Sequence, residues 1–445
     1  MPLSSCLNNI RNFINGPKKD ETVGLFQITV AAFEEKSGLN CAKHFAQMLS
    51  KNKLFSVKFF DEPFPKGFLN LQGRFFYDFI DCGQKILNSS HSDIIIWGYE
   101  ENAKIRLNFQ VANQYDLEEN NKFSLLDNLY VPLSFFTNTD NFSESMLLLI
   151  YGIIIAAIKP ITLNQQRHKP LLLADIISLL SQDTSPKDLS REFMPFIMNM
   201  LGKIYLCAAA ENIKTEDLDI ISELFNNSLK NSQYRTQPVF CGCTYNNLGL
   251  LYENAFRSLS SENSVYLKTA VACYQKALKN LHRAYPYDYA LIACHLARLY
   301  FEYWKQTGDL QALRDAVAQL RDTEKVYTKD KFRNSWGYLQ GLLGYYLTSL
   351  GMNTASNEIM LLAITAYRKQ QELYAQNSYP TEWAQIQVEI GNIYYLLGKQ
   401  NEDENFMYEA QNYFNSALEV YTQLHAKNAI DAVKNKLAKV HNYID

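Results

Sequence analysis

Apolar positions follow a strand-like pattern in the first third of the chain and a helix-like pattern in the rest. Short runs rich in β-branched and aromatic residues, and one regular alternation of apolar and polar residues, predict strands; apolar positions at helical spacing predict helices. The predicted strands are 24–33, 54–60, 92–97 and 103–112, and the predicted helices between them are 40–51 and 75–89. This order, with the last two strands as a hairpin, predicts a small α/β domain over residues 21–135, after a flexible segment at residues 1–20.

Residues 136–190 are predicted to form a helical connector or a degenerate helical hairpin. Their main feature is the uncharged run Met146–Ile158, which is 13 residues long, whereas a membrane-spanning helix needs about 17 to 25 residues. A buried helix is therefore predicted here. Peripheral contact of this helix with a lipid surface is the alternative.

The second half of the chain repeats itself with a period of 47 or 48 residues. One mark is a Leu-Gly pair or its equivalent, at Leu201-Gly202, Leu248-Gly249, Leu296-Ala297, Leu343-Gly344 and Ile390-Gly391. Another is an alanine followed four residues later by an aromatic residue or leucine: Ala270 and Tyr274, Ala316 and Leu320, Ala363 and Tyr367, Ala410 and Phe414. A fixed period over five copies predicts stacked helical hairpins, and Pro238, Pro286 and Pro380 suit the starts of first helices.

These marks resemble the tetratricopeptide repeat (TPR), and more closely the long-repeat bacterial proteins whose units read WAxxQxxLGxxxxxLG and then EAxxxYxxAL. Residues Trp383–Gly398 match the first half of that unit, and Glu409–Leu418 match the second, with Phe414 in place of Tyr. The resemblance covers residues 191–425. It implies a mainly α fold, in which a right-handed α-solenoid of TPR-like hairpins is preceded by the small α/β domain and closed by a capping helix at 426–445.

The amino-terminal domain and the length of the repeats add to this resemblance. Ile94–Glu100 is similar to the (I/V)(L/I)IWGE-like strand end of domains that precede such repeats in bacterial proteins. More distantly, the domain is similar to the amino-terminal domain of TolB and its relatives, which bind protein partners. Because the units exceed the usual length of about 34 residues, we expect the extra residues in polar loops such as 352–358 and 399–405.

Composition narrows the range of functions. The chain is 47% apolar and 20% charged, with a net charge of −3 and eight cysteines without framework spacing. The absence of any block of clustered Lys and Arg argues against nucleic-acid binding. Free thiols predict a reducing compartment, and no secretory signal is recognisable at the amino terminus. A cytoplasmic location is therefore expected.

No catalytic, cofactor-binding or metal-binding motif is present, so the sequence predicts a protein that is not an enzyme. Cys241, Cys243 and His295 do not have the spacing of a four-ligand metal site, and the cysteines are predicted to be structural. The alternative is a ligand-sensing or enzymatic role for the α/β domain. Its candidate polar groups are Asp61, Glu62, Asp78, Asp81 and Glu100.

The resemblance implies a partner-binding groove lined by the first helix of each hairpin. The lining positions are six and three residues before the small residue of the Leu-Gly pair, and one and four residues after it. Amide side chains there suit the backbone of an extended peptide, and aromatic side chains offer apolar pockets. The expected function is thus a protein–protein interaction scaffold or adaptor. The sequence does not determine its oligomeric state. The candidate groove residues are Asn199, Lys203, Asn246, Leu250, Glu253, Arg298, Phe301, Tyr338, Tyr345, Gln385, Asn392 and Tyr395.

Overall fold

A computed structural model describes most of the chain. The described residues are 24–34, 38–63, 74–117, 123–137, 144–182, 192–209, 213–259, 263–281 and 285–444. The amino-terminal segment predicted at residues 1–20 lies outside them. By their contacts, residues divide into a first unit, Met1–Tyr115 with Asn121–Tyr289, and a second unit, Asp116–Asn120 with Ala290–Asp445.

The amino-terminal domain contains a five-stranded sheet with strand order β2-β1-β3-β4-β5. The strands are β1 (Phe26–Ala32), β2 (Phe55–Pro63), β3 (Ile94–Glu101), β4 (Lys104–Val111) and β5 (Asn128–Pro132), with helices α1 (Gly38–Ser50) and α2 (Arg74–Ser90) between the first three. β1 pairs in parallel with β2 and β3, whereas β4 is antiparallel to β3 and β5. The predicted α/β domain is thus confirmed, and β5 is a strand that the sequence analysis missed.

The predicted hairpin is formed by β3 and β4. Asn102 and Ala103 connect the strands with φ angles of 50° and 60°, as in the tight turns that match the twist of paired strands. β3 runs on to Glu101, beyond its predicted end at residue 97. The described residues between β4 and β5, 112–117 and 123–127, are called the β4–β5 connection below.

Between the sheet and the repeats, the chain forms α3 (Ser134–Thr137), α4 (Glu144–Ala157) and α5 (Leu163–Gln182). Every residue from Met146 to Ile158 is buried, which confirms the prediction for this run. The side chains of α4 pack into the hydrophobic core of the first unit, where the ring of Tyr151 meets that of Phe55 at 4.9 Å.

The described residues between 192 and 444 are helical apart from short connections, so the chain is mainly α, as predicted. The helices, in order, are α6 (Met194–Ala208), α7 (Thr215–Lys230), α8 (Ser232–Arg235), α9 (Pro238–Ser258), α10 (Asn263–Leu281), α11 (Pro286–Thr307), α12 (Leu310–Glu324), α13 (Arg333–Thr354), α14 (Asn357–Gln371), α15 (Pro380–Asn401), α16 (Glu404–Gln423) and α17 (Lys427–Ile444). The small residues of the Leu-Gly pairs lie on α6, α9, α11, α13 and α15, and the repeated alanines lie on α10, α12, α14 and α16. Pro238, Pro286 and Pro380 each begin a helix.

A glycine and an aromatic ring meet at the same place in four of the sequence repeats. A Cβ atom added to Gly249 would lie 2.5 Å from the ring of Tyr274, and one added to Gly344 would lie 2.7 Å from that of Tyr367. The pairs Gly202 with Phe225 and Gly391 with Phe414 have the same 2.7 Å approach. A side chain larger than hydrogen at these positions would require the rings or the helices to shift. In the remaining repeat the small residue is Ala297, and the smaller side chain of Leu320 stands in place of the ring in the same core.

The extra length of the repeats lies in the helices, so the expectation of long loops at 352–358 and 399–405 is wrong. Helices α11, α13 and α15 each have 22 residues. The C-cap residues that follow α13 and α15 are Ala355 and Glu402, both in the left-handed conformation with φ 51°. The next residues, Ser356 and Asp403, accept a hydrogen bond from the first turn of the following helix. A C-cap and an N-cap side by side leave a connection of two residues.

Candidate partner-binding surface

The predicted groove residues separate by exposure. Tyr345 and Gln385 are exposed, and Asn246, Arg298, Tyr338, Asn392 and Tyr395 are half-buried. In contrast, Asn199, Lys203, Leu250, Glu253 and Phe301 are buried, each at most 5% exposed. The structure therefore does not present the whole predicted groove to a partner.

Lys203 is buried because the β4–β5 connection covers it. Its Nζ atom donates to Oδ2 of Asp127 at 2.5 Å and lies 4.7 Å from the centre of the Phe123 ring. Moving both charges out of water is costly, and the direct pair with its additional contacts offsets that cost. Lys203, which was expected to contact a partner, thus pairs with a residue of the first unit.

The neighbouring groove positions of α6 are also filled from within. The Asn199 Oδ1 atom accepts hydrogen bonds from Thr244 Oγ1 and Asn247 Nδ2, both at 3.1 Å, which joins α6 to α9. The ring of Phe196 packs on Tyr130 of β5 at 4.6 Å and on Phe240 at 4.9 Å. Residues of the sheet domain thus take the place predicted for a peptide.

Glu253 and Phe301 contact neighbouring helices, and Leu250 is buried. Tyr274 Oη donates to Glu253 Oε2 at 2.7 Å, which ties α9 to the second helix of its hairpin. Leu250 is 5% exposed. The Phe301 ring stacks on Tyr346 with centroids 4.1 Å apart and an angle of 3° between the rings. We therefore withdraw Asn199, Lys203, Leu250, Glu253 and Phe301 from the candidate contact surface.

The β4–β5 connection also contacts the start of α11, at residues that the sequence analysis did not single out. Tyr115 Oη donates to Asp288 Oδ2 at 3.0 Å, and Ser124 Oγ donates to Asp288 Oδ1. Burial, reinforced by the charge of Asp127, raises the pKa of the Asp288 carboxyl to about 7, against the opposing effects of the two hydroxyl donors and Lys203. One sequence signal could have drawn attention to Asp288. It stands nine residues before Ala297, the small residue of its repeat, and the two earlier repeats have Phe193 and Phe240 at that position.

Residues of the same connection form part of the second unit. The backbone N–H of Leu117 donates to Ser335 Oγ at 3.1 Å, and that hydroxyl donates to Asp116 Oδ1 at 3.1 Å. Ser335 lies in the first turn of α13, again nine residues before its small residue. Leu117 itself is 2% exposed and belongs to the core of the second unit.

The predicted positions that keep solvent contact in the second unit form what is called here the first-helix surface: Arg298, Tyr338, Tyr345, Gln385, Asn392 and Tyr395. Half of the Tyr345 side chain is exposed (50%), and its ring meets Phe301 at 5.1 Å. Asn392 Oδ1 accepts from Lys436 Nζ at 2.8 Å, which places the basic side of α17 beside this surface. Aromatic rings, amides and a few charges thus lie on first helices of the second unit.

Two of the carboxylates proposed for a ligand site in the α/β domain form ion pairs with lysines. Asp61 lies 3.6 Å from Lys43, and Asp81 lies 2.6 Å from Lys85 on the same helix. Glu100 is on β3, and the side chains of Glu62 and Asp78 lie outside the described residues. Surface ion pairs of this kind are common and do not indicate a ligand.

The cysteines likewise form no metal site in the described part of the chain, where no group of three or more potential ligands is found. Cys241 and Cys243 are buried, and His295 forms a hydrogen bond with Arg298 at 2.9 Å.

Among the described helices, none is long and apolar enough to span a membrane. Comparison with protein-family models and with curated proteins finds no match to the chain.

Proposed function

We propose that the protein is a non-catalytic scaffold or adaptor that binds a peptide or protein partner through the first-helix surface of its second unit. The observation that supports this proposal is the exposure of Tyr345 and Gln385 at predicted groove positions of two successive first helices, α13 and α15. Repeat arrays commonly bind partners on such a surface, because equivalent positions recur along it.

The chemistry of the surface suits an extended peptide. Gln385 and Asn392 offer amide groups that both donate to and accept from a peptide backbone, and Tyr345 offers a large ring with a polar tip. Tyrosine contributes strongly to binding where its ring is covered by a partner. The seven cysteines of the described residues are free thiols, which fits a reducing compartment such as the cytoplasm.

The test compares two matched double variants in quantitative affinity purification. Tyr345→Ala with Gln385→Ala removes the two exposed groups from the first-helix surface. Tyr408→Ala with Gln423→Ala removes the same two kinds of group from α16, a second helix, where Tyr408 is 47% exposed, against 50% for Tyr345. The binding constants of the proteins captured by the wild type are then measured by calorimetry with purified components.

We expect the first double variant to lose affinity for a partner by at least about tenfold, which corresponds to about 1.4 kcal/mol. The second double variant should keep wild-type affinity. Equal binding by both variants and the wild type would contradict recognition on the first-helix surface. Equal loss in both variants would also contradict it, because the loss would then follow exposure and not position.

A further inference from the structure

We propose that the β4–β5 connection is a pH-responsive latch on the helical part of the first unit, and that deprotonation of Asp288 loosens it. The proposal does not depend on the function proposed above. It rests on a buried cluster in which the connection and the first turn of α11 share their hydrogen bonds.

Asp288 holds the connection at two points. Tyr115 Oη donates to one carboxyl oxygen at 3.0 Å, and Ser124 Oγ donates to the other. The two hydroxyl groups also accept from the backbone of the connection: Leu125 N–H donates to Tyr115 Oη at 3.3 Å, and Leu126 N–H donates to Ser124 Oγ at 2.9 Å. The backbone conformation of this segment therefore depends on the carboxyl group of Asp288.

The groups around Asp288 are themselves charged or titratable. From the connection come Tyr115 and Asp127, and from α6 comes Lys203, whose cation pairs with Asp127. Cys243 on α9 and Tyr285, just before α11, interact electrostatically with Asp288, and Arg106 of β4 acts on both of these residues. Asp288 is 3% exposed. With Lys203 already paired to Asp127, an ionised Asp288 must rely mainly on two neutral hydroxyl donors.

The direction of the pH effect follows from the two states of the latch. When the latch is closed, the Asp288 pKa is raised to about 7, whereas a released carboxyl in water has a pKa of about 3.9. Between these values the closed state binds more protons, so its stability falls as the pH rises toward 7 and levels off above it. Each pH unit inside this window changes the closing equilibrium by up to about tenfold.

Hydrogen exchange on the full chain can measure the latch directly. The amide groups of Ser124, Leu125, Leu126 and Asp127 all donate within the connection. A peptic fragment beginning at Phe123 should therefore lose protection when the pH rises from about 5.5 to about 8, after correction for the intrinsic exchange rate. We expect a loss of at least about tenfold.

Two substitutions separate the latch from other pH effects. Asp288→Asn keeps the shape of the side chain without its titration, so protection of the fragment should no longer change with pH. Asp431→Asn, at an exposed position of α17, should leave the wild-type pH dependence intact. Circular dichroism checks that both variants keep their helix content.

Tyr115→Phe gives a second measurement that does not require Asp288 to be replaced. It removes one donor to the ionised carboxylate, so the midpoint of the pH dependence should move to higher pH. The proposal is overturned if wild-type protection is the same at both pH values, or if Asp288→Asn keeps the wild-type dependence. If Asp288→Asn fails to fold, an unmoved midpoint in Tyr115→Phe overturns it instead.

Discussion

The Lys203 ammonium group lies 2.5 Å from the Asp127 carboxylate, and the two side chains are 0% and 1% exposed. Replacing Lys203 by Met should destabilise the protein by about 3–5 kcal/mol, because it leaves Asp127 as a buried charge without its partner. Denaturant unfolding measures this change. The double variant with Asp127→Leu should recover a large part of the loss, since it removes both charges.

Lys329→Met is the matched control for this experiment. Lys329 pairs with Glu372 at 2.7 Å, but the two side chains are 43% and 51% exposed. Its loss should change the free energy of unfolding by less than about 1 kcal/mol. If Lys203→Met lowers the free energy of unfolding no more than Lys329→Met does, burial does not increase the contribution of the Lys203–Asp127 pair to stability.

The contact between Gly391 and Phe414 predicts non-additive substitutions. Gly391→Ala places a methyl group 2.7 Å from the Phe414 ring and should cost about 1–3 kcal/mol, partly offset by the better helix propensity of alanine. Phe414→Leu should cost about 1 kcal/mol or more through lost packing. The double variant reproduces the natural pair of Ala297 and Leu320, and its cost should be smaller than the sum. An additive double variant would show that the two residues do not share space.

The end of α13 predicts a stabilising glycine. Ala355 has a φ of 51°, a conformation in which a Cβ atom is unfavourable. Ala355→Gly should therefore raise the free energy of unfolding by up to about 1 kcal/mol. Ala432→Gly, at an exposed position inside α17, should lower it by about 1 kcal/mol. The same substitution is thus expected to have opposite signs, and chemical denaturation of both variants checks it.

Thiol labelling of the native protein should distinguish Cys243 from Cys207. Cys243 is buried, and its burial raises the pKa of the thiol well above the ordinary value, so almost no reactive thiolate forms. Cys207 is half-buried at the end of α6. Mass spectrometry after short alkylation at about pH 8 should find Cys207 modified well before Cys243. Equal rates would indicate that the core around Cys243 opens readily.

Local pattern predicted the helices of the repeat, because its marks recur at a nearly constant spacing along the chain. Gly344 and Tyr367 carry two of these marks, and the structure brings them into contact. The pattern did not find Phe225 as the partner of Gly202, since Ile221 stands where the later repeats have alanine.

Local pattern could not predict that the chain's own residues occupy the expected groove in the first unit. Asp127 and Lys203 are 76 residues apart, and neither sits in a motif that names the other. The repeat pattern indicates which residues share a face of the helices. It does not indicate what covers that face, so Lys203 was expected to meet a partner and instead meets the chain's own connection.

The bond between Leu117 and Ser335 joins residues 218 positions apart. An array of hairpins that touch only their neighbours folds from any point and frays from its ends. A core that includes a segment from early in the chain lacks that freedom. The long loop must close, at a cost in entropy, before its contacts can stabilise the core, and this slows folding. During synthesis, Leu117 emerges long before Ser335 exists. The core that contains Leu117 also contains Leu397 of α15, so it is complete only after α15 is made. Unfolding of the second unit should therefore be closer to all-or-none than that of a simple repeat array.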